Sequence, residues 1–289
     1  MIELAATRYG KARVHVVRVF RPAGGQHVVR DVVVRLALEG DFDGAHTTGD
    51  NSLVVATDTM KNTCYVMAKD HLGGALEEYG RALASHFLGF AQVERATAWL
   101  AERRWLPMTT SGGPASDAFV RTGDFVRTAQ VAVTRDAVAI EAGVEELVVM
   151  KTARSAFAGF PREGYTSLAD TDDRIMATRV TCTWRYAPGD HDWDAMHVRV
   201  MTVFRDIFAE HFSPSVQASI WIIGKAILDA EPSLDEISMT LPNLHHWQYD
   251  IGQFGLPNDF EVFVATDEPH GLIEATIRRS ADHSGPAHG

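Results

Sequence analysis

Four stretches of this chain hold the residue types that could do chemistry. GDNSLVVATDTMKNT (49–63) sets Thr57 and Asp58 where an extended run enters a helix. Free N–H groups at a helix start favour negative charge, so this is a candidate anion site; Thr and Asp also serve as plain helix caps. KTARSAFAGFPREGYTSLADTDDR (151–174) is a loop carrying Phe157, Phe160, Tyr165 and Arg174. SPSVQAS (213–219) brings Val216 and Gln217 to a second helix start, and LPNLHHWQYD (241–250) carries Asn243, His245 and His246. Taken singly, each stretch has a structural reading: Phe157 and Phe160 as core anchors, Arg174 in a surface ion pair, Gln217 solvated, one histidine turned inward. Their joint occurrence, in this order, calls for a chemical account.

Other chemistries are poorly provided for. Thirteen histidines invite a metal reading, yet no HxH or HxxxH spacing occurs and the two cysteines, Cys64 and Cys182, are far apart. His245 and His246 are neighbours on an expected strand, where side chains alternate between faces, so they cannot readily grip one ion. There is no GxGxxG, no Walker loop and no GxSxG elbow. Neither a metal nor an organic cofactor is expected.

The elements that must position these residues read as a mixed α+β chain. Val14–Phe20 and His27–Leu38 are Val-rich alternating runs around a ProAlaGlyGly turn at 22–25, the pattern of a hairpin. Helices are expected over Thr57–Lys69 and Leu76–Phe90, the second with Leu76, Tyr79, Leu83 and Phe87 at helical spacing. Strands follow at Ala96–Trp105, Ala118–Arg127 and Ala129–Val133, with a loop at Thr109–Ser116. The order then restarts: strands at Glu146–Lys151 and Ile175–Tyr186, a helix over Trp193–His211, and a second helix through Asp229. Ser213-Pro214 reads as the N-cap and first turn of that second helix. Strands return at Glu236–Thr240, His246–Asp250, Glu261–Thr266 and Leu272–Arg278. Strand–strand–helix–helix–strand–strand, twice over, is a tandem-repeat plan, divided here as 1–143 and 144–279, with a flexible tail at 280–289. A sheet covered on one face leaves edges and a bare face that copies of the chain can bury by closing a barrel.

Composition narrows the partners. With 289 residues, 46% hydrophobic and 22% charged, a packed globular core is expected. A formal charge of -11 argues against general nucleic-acid binding, although a few cations can still make a local anion pocket. The apolar run near Ile220–Leu228 is too short to span a bilayer. The N-terminus lacks an apolar core of signal-peptide length. With two cysteines in apolar surroundings, a reducing cytoplasm is the expected compartment.

The polar words together resemble the urate oxidase family. RYGK (8–11), VATDTMKNT (55–63), FxGFPREGYTSLxxTDDR (157–174), SVQ (215–217), LPNLHH (241–246) and FGLPNDFEVF (254–263) sit in the family's order. The resemblance implies a tunnelling fold with two repeats per chain, assembled as a homotetramer of β-barrels with sites shared between subunits. It implies oxidation of urate by dioxygen and water to 5-hydroxyisourate and hydrogen peroxide, without cofactor. Phe157 would stack on the purine, Arg174 and Gln217 would grip its edge, and the N–H groups of Asp58 and Val216 would complete the contacts. Lys11, Thr57 and His245 would relay protons, while Thr57 and Asn243 would hold dioxygen and then water. Thr57 and Asp58 would come from one subunit, and Phe157, Arg174, Gln217 and Asn243 from its neighbour. The tail lacks the peroxisomal signal of eukaryotic members, which fits a bacterial, cytoplasmic protein.

Overall fold

The computed structural model describes residues 2–280; of the flexible tail expected at 280–289, residues 281–289 lie outside the described residues. The chain forms two compact units. One is built from the chain up to Leu147 with Pro188–His197, the other from Val148–Ala187 with the chain from Val198 onward.

In the first unit, β1 (Tyr9–Phe20), β2 (Val28–Gly40), β3 (Val93–Thr110), β4 (Gly113–Thr134) and β5 (Val138–Lys151) pair antiparallel in chain order. Alternation decides which face is covered. Val14, Val34, Leu100, Ala129 and Ala142 fall in one cross-strand row, and each is buried. The helix α2 (Thr57–His71) packs on β1, and α3 (Leu76–Phe87) on β3 and β4. Met60, Cys64 and Ala68 make the buried stripe of α2; Leu76, Tyr79, Leu83 and Phe87 are all fully buried in α3, as their spacing predicts. Gly80 lets α3 approach closely, since a Cβ there would stand 2.7 Å from Leu100 Cδ1. On the opposite face Val17 is exposed and Arg35 lies 4.3 Å over the Trp99 ring. A five-residue helix, α1 (Asp43–Thr47), precedes α2 and was not anticipated from periodicity, because it buries nothing.

The second unit repeats the plan. Strands β6 (Met176–Tyr186), β7 (Leu234–Pro242) and β10 (Leu272–Arg278) pair antiparallel in that order. Trp184, Ile237 and Ile277 form one buried row. The helix α5 (Val216–Ala230) packs over this sheet, with Gly224 facing Ile237 and Ile277. The helix α4 (Trp193–Glu210) starts among the residues of the first unit, and Met196, Val200 and Phe204 are buried along it at helical spacing. Two short strands, β8 (His245–Gln248) and β9 (Phe263–Thr266), pair separately.

Three expectations are corrected. The loop at 109–116 is a tight turn: Thr110 Oγ1 donates to the Gly113 carbonyl and accepts from Gly112 N–H, so β3 and β4 pair right up to Thr110 and Gly113. The helix expected to reach Phe90 stops at Phe87, where Gly89 N–H turns back onto His86 O. The cap of α5 is Ser215, whose side chain accepts from Ala218 N–H; the Ser213 hydroxyl is committed elsewhere, to Ser219 and Met176.

One glycine in β1 stands beside Lys11. The β1–β2 register slips between Lys11 and Val14, with Arg13 at φ 58°. A Cβ on Gly10 would stand 1.9 Å from the Leu36 carbonyl oxygen, and neither backbone can give way without losing the ladder. Gly10→Ala is expected to cost about 2 kcal/mol or more in stability, read by chemical denaturation. An unchanged midpoint would show that the strand shifts freely at Lys11.

Candidate active site

The second unit contains a cavity of about 860 Å³ whose lining includes Phe157, Arg174, Val216, Gln217, Asn243 and His245. All six were expected from sequence. The loop that carries Phe157 is folded back on itself: Phe157 and Thr171 exchange both backbone hydrogen bonds, at 2.8 and 3.0 Å. This pairing brings Arg174 near Phe157, with its guanidinium carbon 5.4 Å from the ring centroid. Phe160 braces the ring, stacked at 5.0 Å between centroids and 12° between planes.

Arg174 defines the electrostatics. It is half-buried, and burial alone holds its guanidinium below the ordinary value, although an arginine stays charged at neutral pH. Its Nε is buried without a hydrogen-bond partner among the described residues. The neighbouring carboxylates are otherwise engaged. Asp170 pairs with Arg162, and Asp173 accepts from Ser155 N–H at 3.4 Å. A buried cation with an unused donor is stabilised by an anion that can accept two parallel hydrogen bonds.

The start of α5 faces the same cavity. Ser215 satisfies the Ala218 N–H at 3.1 Å and accepts the first helical bond from Ser219 through its carbonyl. Val216 is buried and Gln217 exposed at the two positions between, where a helix leaves N–H groups unpaired. Asn243 is held by its backbone, donating to Gly271 O at 2.8 Å and bridging Thr178. A Cβ on Gly271 would come within 3.2 Å of Asn243 Nδ2, so a side chain there would press on that amide.

His245 lies at the start of β8, its ring stacked on Trp247 at 5.2 Å. Burial, then the positive charge of Arg174, then His270 and His246, lower its pKa from the ordinary 6.5. It is therefore neutral at physiological pH and fit to take or pass a proton. His246, expected as a mere structural neighbour, also lines the cavity, with its Nδ1 2.9 Å from Leu244 O.

Lys11, Thr57 and Asp58 belong to the first unit and do not line this cavity. Thr57 and Asp58 open α2, but neither is its cap: Ala56 holds that position and no side chain caps the helix. The Asp58 carboxylate is tied back along α2 by Lys61 and by Asn62 Nδ2 at 3.0 Å. Those contacts, Lys61 foremost, and the charge of Lys11 hold it below the usual carboxylate range. No N-cap side chain covers the first-turn N–H groups of α2, which are free to favour negative charge. Sequence reasoning missed Tyr9, in the same RYGK word as Lys11. Its hydroxyl donates to Val55 O at 3.2 Å and accepts from Val55 N–H at 2.8 Å. That pair of hydrogen bonds ties the Lys11 strand to the segment that leads to Thr57. Among the described residues, no three His, Cys, Asp or Glu side chains gather so as to hold a metal ion, and no helix is long and apolar enough to cross a membrane.

The histidine shift has a measurable sign. With a folded pKa below 6.5, the unfolded chain takes up a proton that the folded chain refuses. The His245 contribution to stability is therefore full above 6.5 and falls away on acidification. In Arg174→Gln the NMR titration midpoint of His245 is expected to rise while staying below 6.5, because burial persists. A midpoint that does not move would remove Arg174 from the electrostatics of the histidine.

A family model for uricase matches residues 7–132 and 140–274. The uricase of Arthrobacter globiformis is 42% identical over 98% of this chain and 93% of that protein. The Dictyostelium discoideum uricase is 38% identical over 97% and 99%. The crystal structure of the Arthrobacter globiformis uricase superposes with a TM-score of 0.92, at 41% identity and covering 98% of both chains. Urate oxidase from Bacillus sp. TB-90 shares the fold, at a TM-score of 0.81 and 22% identity over 94% of this chain and 100% of that one. With nearly its whole length matched, in sequence and in the α+β tunnelling fold, the chain belongs to the uricase family.

Proposed function

We propose that the chain oxidises urate at a site made from Phe157, Arg174, Val216, Gln217, Asn243 and His245 of one protomer with Lys11, Thr57 and Asp58 of another. Oxidation of urate with dioxygen is the reaction of its family. The assignment of roles to residues rests above all on Arg174, a half-buried cation with an unpartnered buried Nε beside an aromatic ring. Urate is a planar purine trione carried as an anion at neutral pH, and such a molecule needs this pair of contacts.

In this reading Phe157 stacks on the ring, and Arg174 and Gln217 hold its edge. The N–H groups of Val216 and Asp58, at the starts of α5 and α2, take the remaining acceptors. Lys11 takes the Thr57 hydroxyl proton, and neutral His245 passes protons onward. Thr57 and Asn243 hold dioxygen and then water above the ring. The doubly deprotonated urate is the reductant. Two electrons pass from the ring to dioxygen, which leaves as hydrogen peroxide, and water adds to give 5-hydroxyisourate. The stoichiometry, urate plus dioxygen plus water to 5-hydroxyisourate plus hydrogen peroxide, closes without metal or organic cofactor. The chain works as a homotetramer of β-barrels, with 1–143 and 144–279 as its two repeats. Its two free, buried cysteines, both with thiols pushed up to about 12 by burial, suit the cytoplasm.

Chelator-treated protein given urate under air should consume the ultraviolet absorbance of urate and release peroxide. No turnover, or turnover only after metal is added, would sink the cofactor-free claim. Thr57→Ala is expected to lower kcat by about 10²-fold or more with little change in KM. Arg174→Ala should act chiefly on KM, by roughly 10- to 100-fold for a lost charged hydrogen bond. A Thr57→Ala enzyme of undiminished rate would remove that hydroxyl from the relay.

A further inference from the structure

We propose that Ser213, with its hydrogen-bond chain through Ser219 to His211, is a positioning device that locks the Phe157 loop and the start of α5 into one frame. The proposal rests on the reading above, in which Phe157 stacks on the substrate and Gln217 holds its edge.

Ser213 joins three segments. Its backbone pairs with the loop leading to Phe157: Ala156 N–H donates to Ser213 O at 2.7 Å, and Ser213 N–H donates to Arg154 O at 2.9 Å. Its hydroxyl, fully buried, lies 2.7 Å from Ser219 Oγ on α5, 3.2 Å from Met176 Sδ and 3.2 Å from Ser215 O. Met176 lines the cavity, and Ser215 is the cap that sets where α5 begins. Ser219, one turn into α5, continues the chain to His211 Nε2 at 2.8 Å.

The histidine end gives the chain a direction. His211 Nδ1 stands 2.7 Å from Ile207 O, an acceptor, so Nδ1 carries the proton and Nε2 receives one from Ser219. Burial and the nearby cations Lys151 and Arg154 disfavour a second proton on the ring. Those cations anchor the same corner. Lys151 Nζ donates to the carbonyls of Phe208 and His211, and Arg154 to those of Ala209 and Glu210. The end of α4 is thereby held by the loop that goes on to Phe157. Buried hydroxyls tied at both ends leave little freedom to the groups that carry them. A shift of about 1 Å between stacking ring and edge donor is enough to weaken a grip that depends on geometry.

The test compares Ser219→Ala, His211→Asn and His211→Gln. Asparagine can reproduce the bond to Ile207 O but cannot reach Ser219, whose hydroxyl is then left to the Ser215 carbonyl 3.2 Å away within its own helix turn; glutamine reaches the Nε2 position and restores the acceptor that ties Ser219 to the end of α4. Ser219→Ala and His211→Asn are expected to raise KM for urate roughly fivefold to twentyfold, the loss of about one buried hydrogen bond, with kcat within about twofold. His211→Gln should stay near the parent. Hydrogen exchange of the urate-free protein, read at the amides of Ala156, Ser213 and Ser219, should accelerate in the first two variants and not in His211→Gln. Unchanged KM and exchange in Ser219→Ala and His211→Asn would overturn the proposal, as would failure of His211→Gln to restore both. If the parent protein itself does not turn over urate, the functional reading fails, and the exchange measurements alone decide the lock.

Discussion

Arg174 is the constraint around which the site is arranged. Half-burying a guanidinium without a carboxylate partner is unfavourable, yet here the nearby acids are spent on Arg162 and on a backbone N–H. The chain as a whole carries an excess of acidic residues, with a formal charge of -11, so a surplus of cations is not the reason. A position kept locally positive inside an acidic protein is favourable to an anion. The double backbone bond between Phe157 and Thr171 brings the aromatic face to the same place. The start of α5, capped only at Ala218 N–H, adds donors of the same sign.

The helix starts show why local and functional readings of one residue are compatible. Thr57 and Asp58 have the composition of a cap, but Ala56 occupies the cap position. A helix whose cap is a methyl group forgoes about 1 kcal/mol of local stabilisation and keeps its first N–H groups free. On α5 the reverse choice is made: Ser215 caps, and only the two positions facing the cavity stay open. Deviation from local optimum at such places is what a functional site demands.

Much of this was legible in the residues. Strand alternation in Val14–Phe20 and helical spacing in Leu76–Phe87 follow from burial of one face, and short polar words in fixed order located the cavity residues through their family resemblance. What was not legible came from contacts distant in sequence. Ser-Pro favours helix starts and so gives Ser213 the look of a cap; its partners Ala156 and Met176 lie on other segments of the chain. The role of Tyr9 depends on Val55, 46 residues away, and that of Gly271 on the amide of Asn243. The short α1 gave no periodic signal at all, since none of its residues is buried.

The division of candidate residues between the two units makes the account sharp enough to fail. Phe157, Arg174, Val216, Gln217, Asn243 and His245 lie on one cavity, while Lys11, Thr57 and Asp58 belong to the other unit. The most direct measurement is a crystal structure of the protein with urate, grown and frozen without oxygen. The purine is expected parallel to Phe157, its edge on Arg174 and Gln217, with Thr57 and Asp58 of a second protomer on its far side. Urate bound away from Arg174, or enclosed by residues of a single chain, would contradict it.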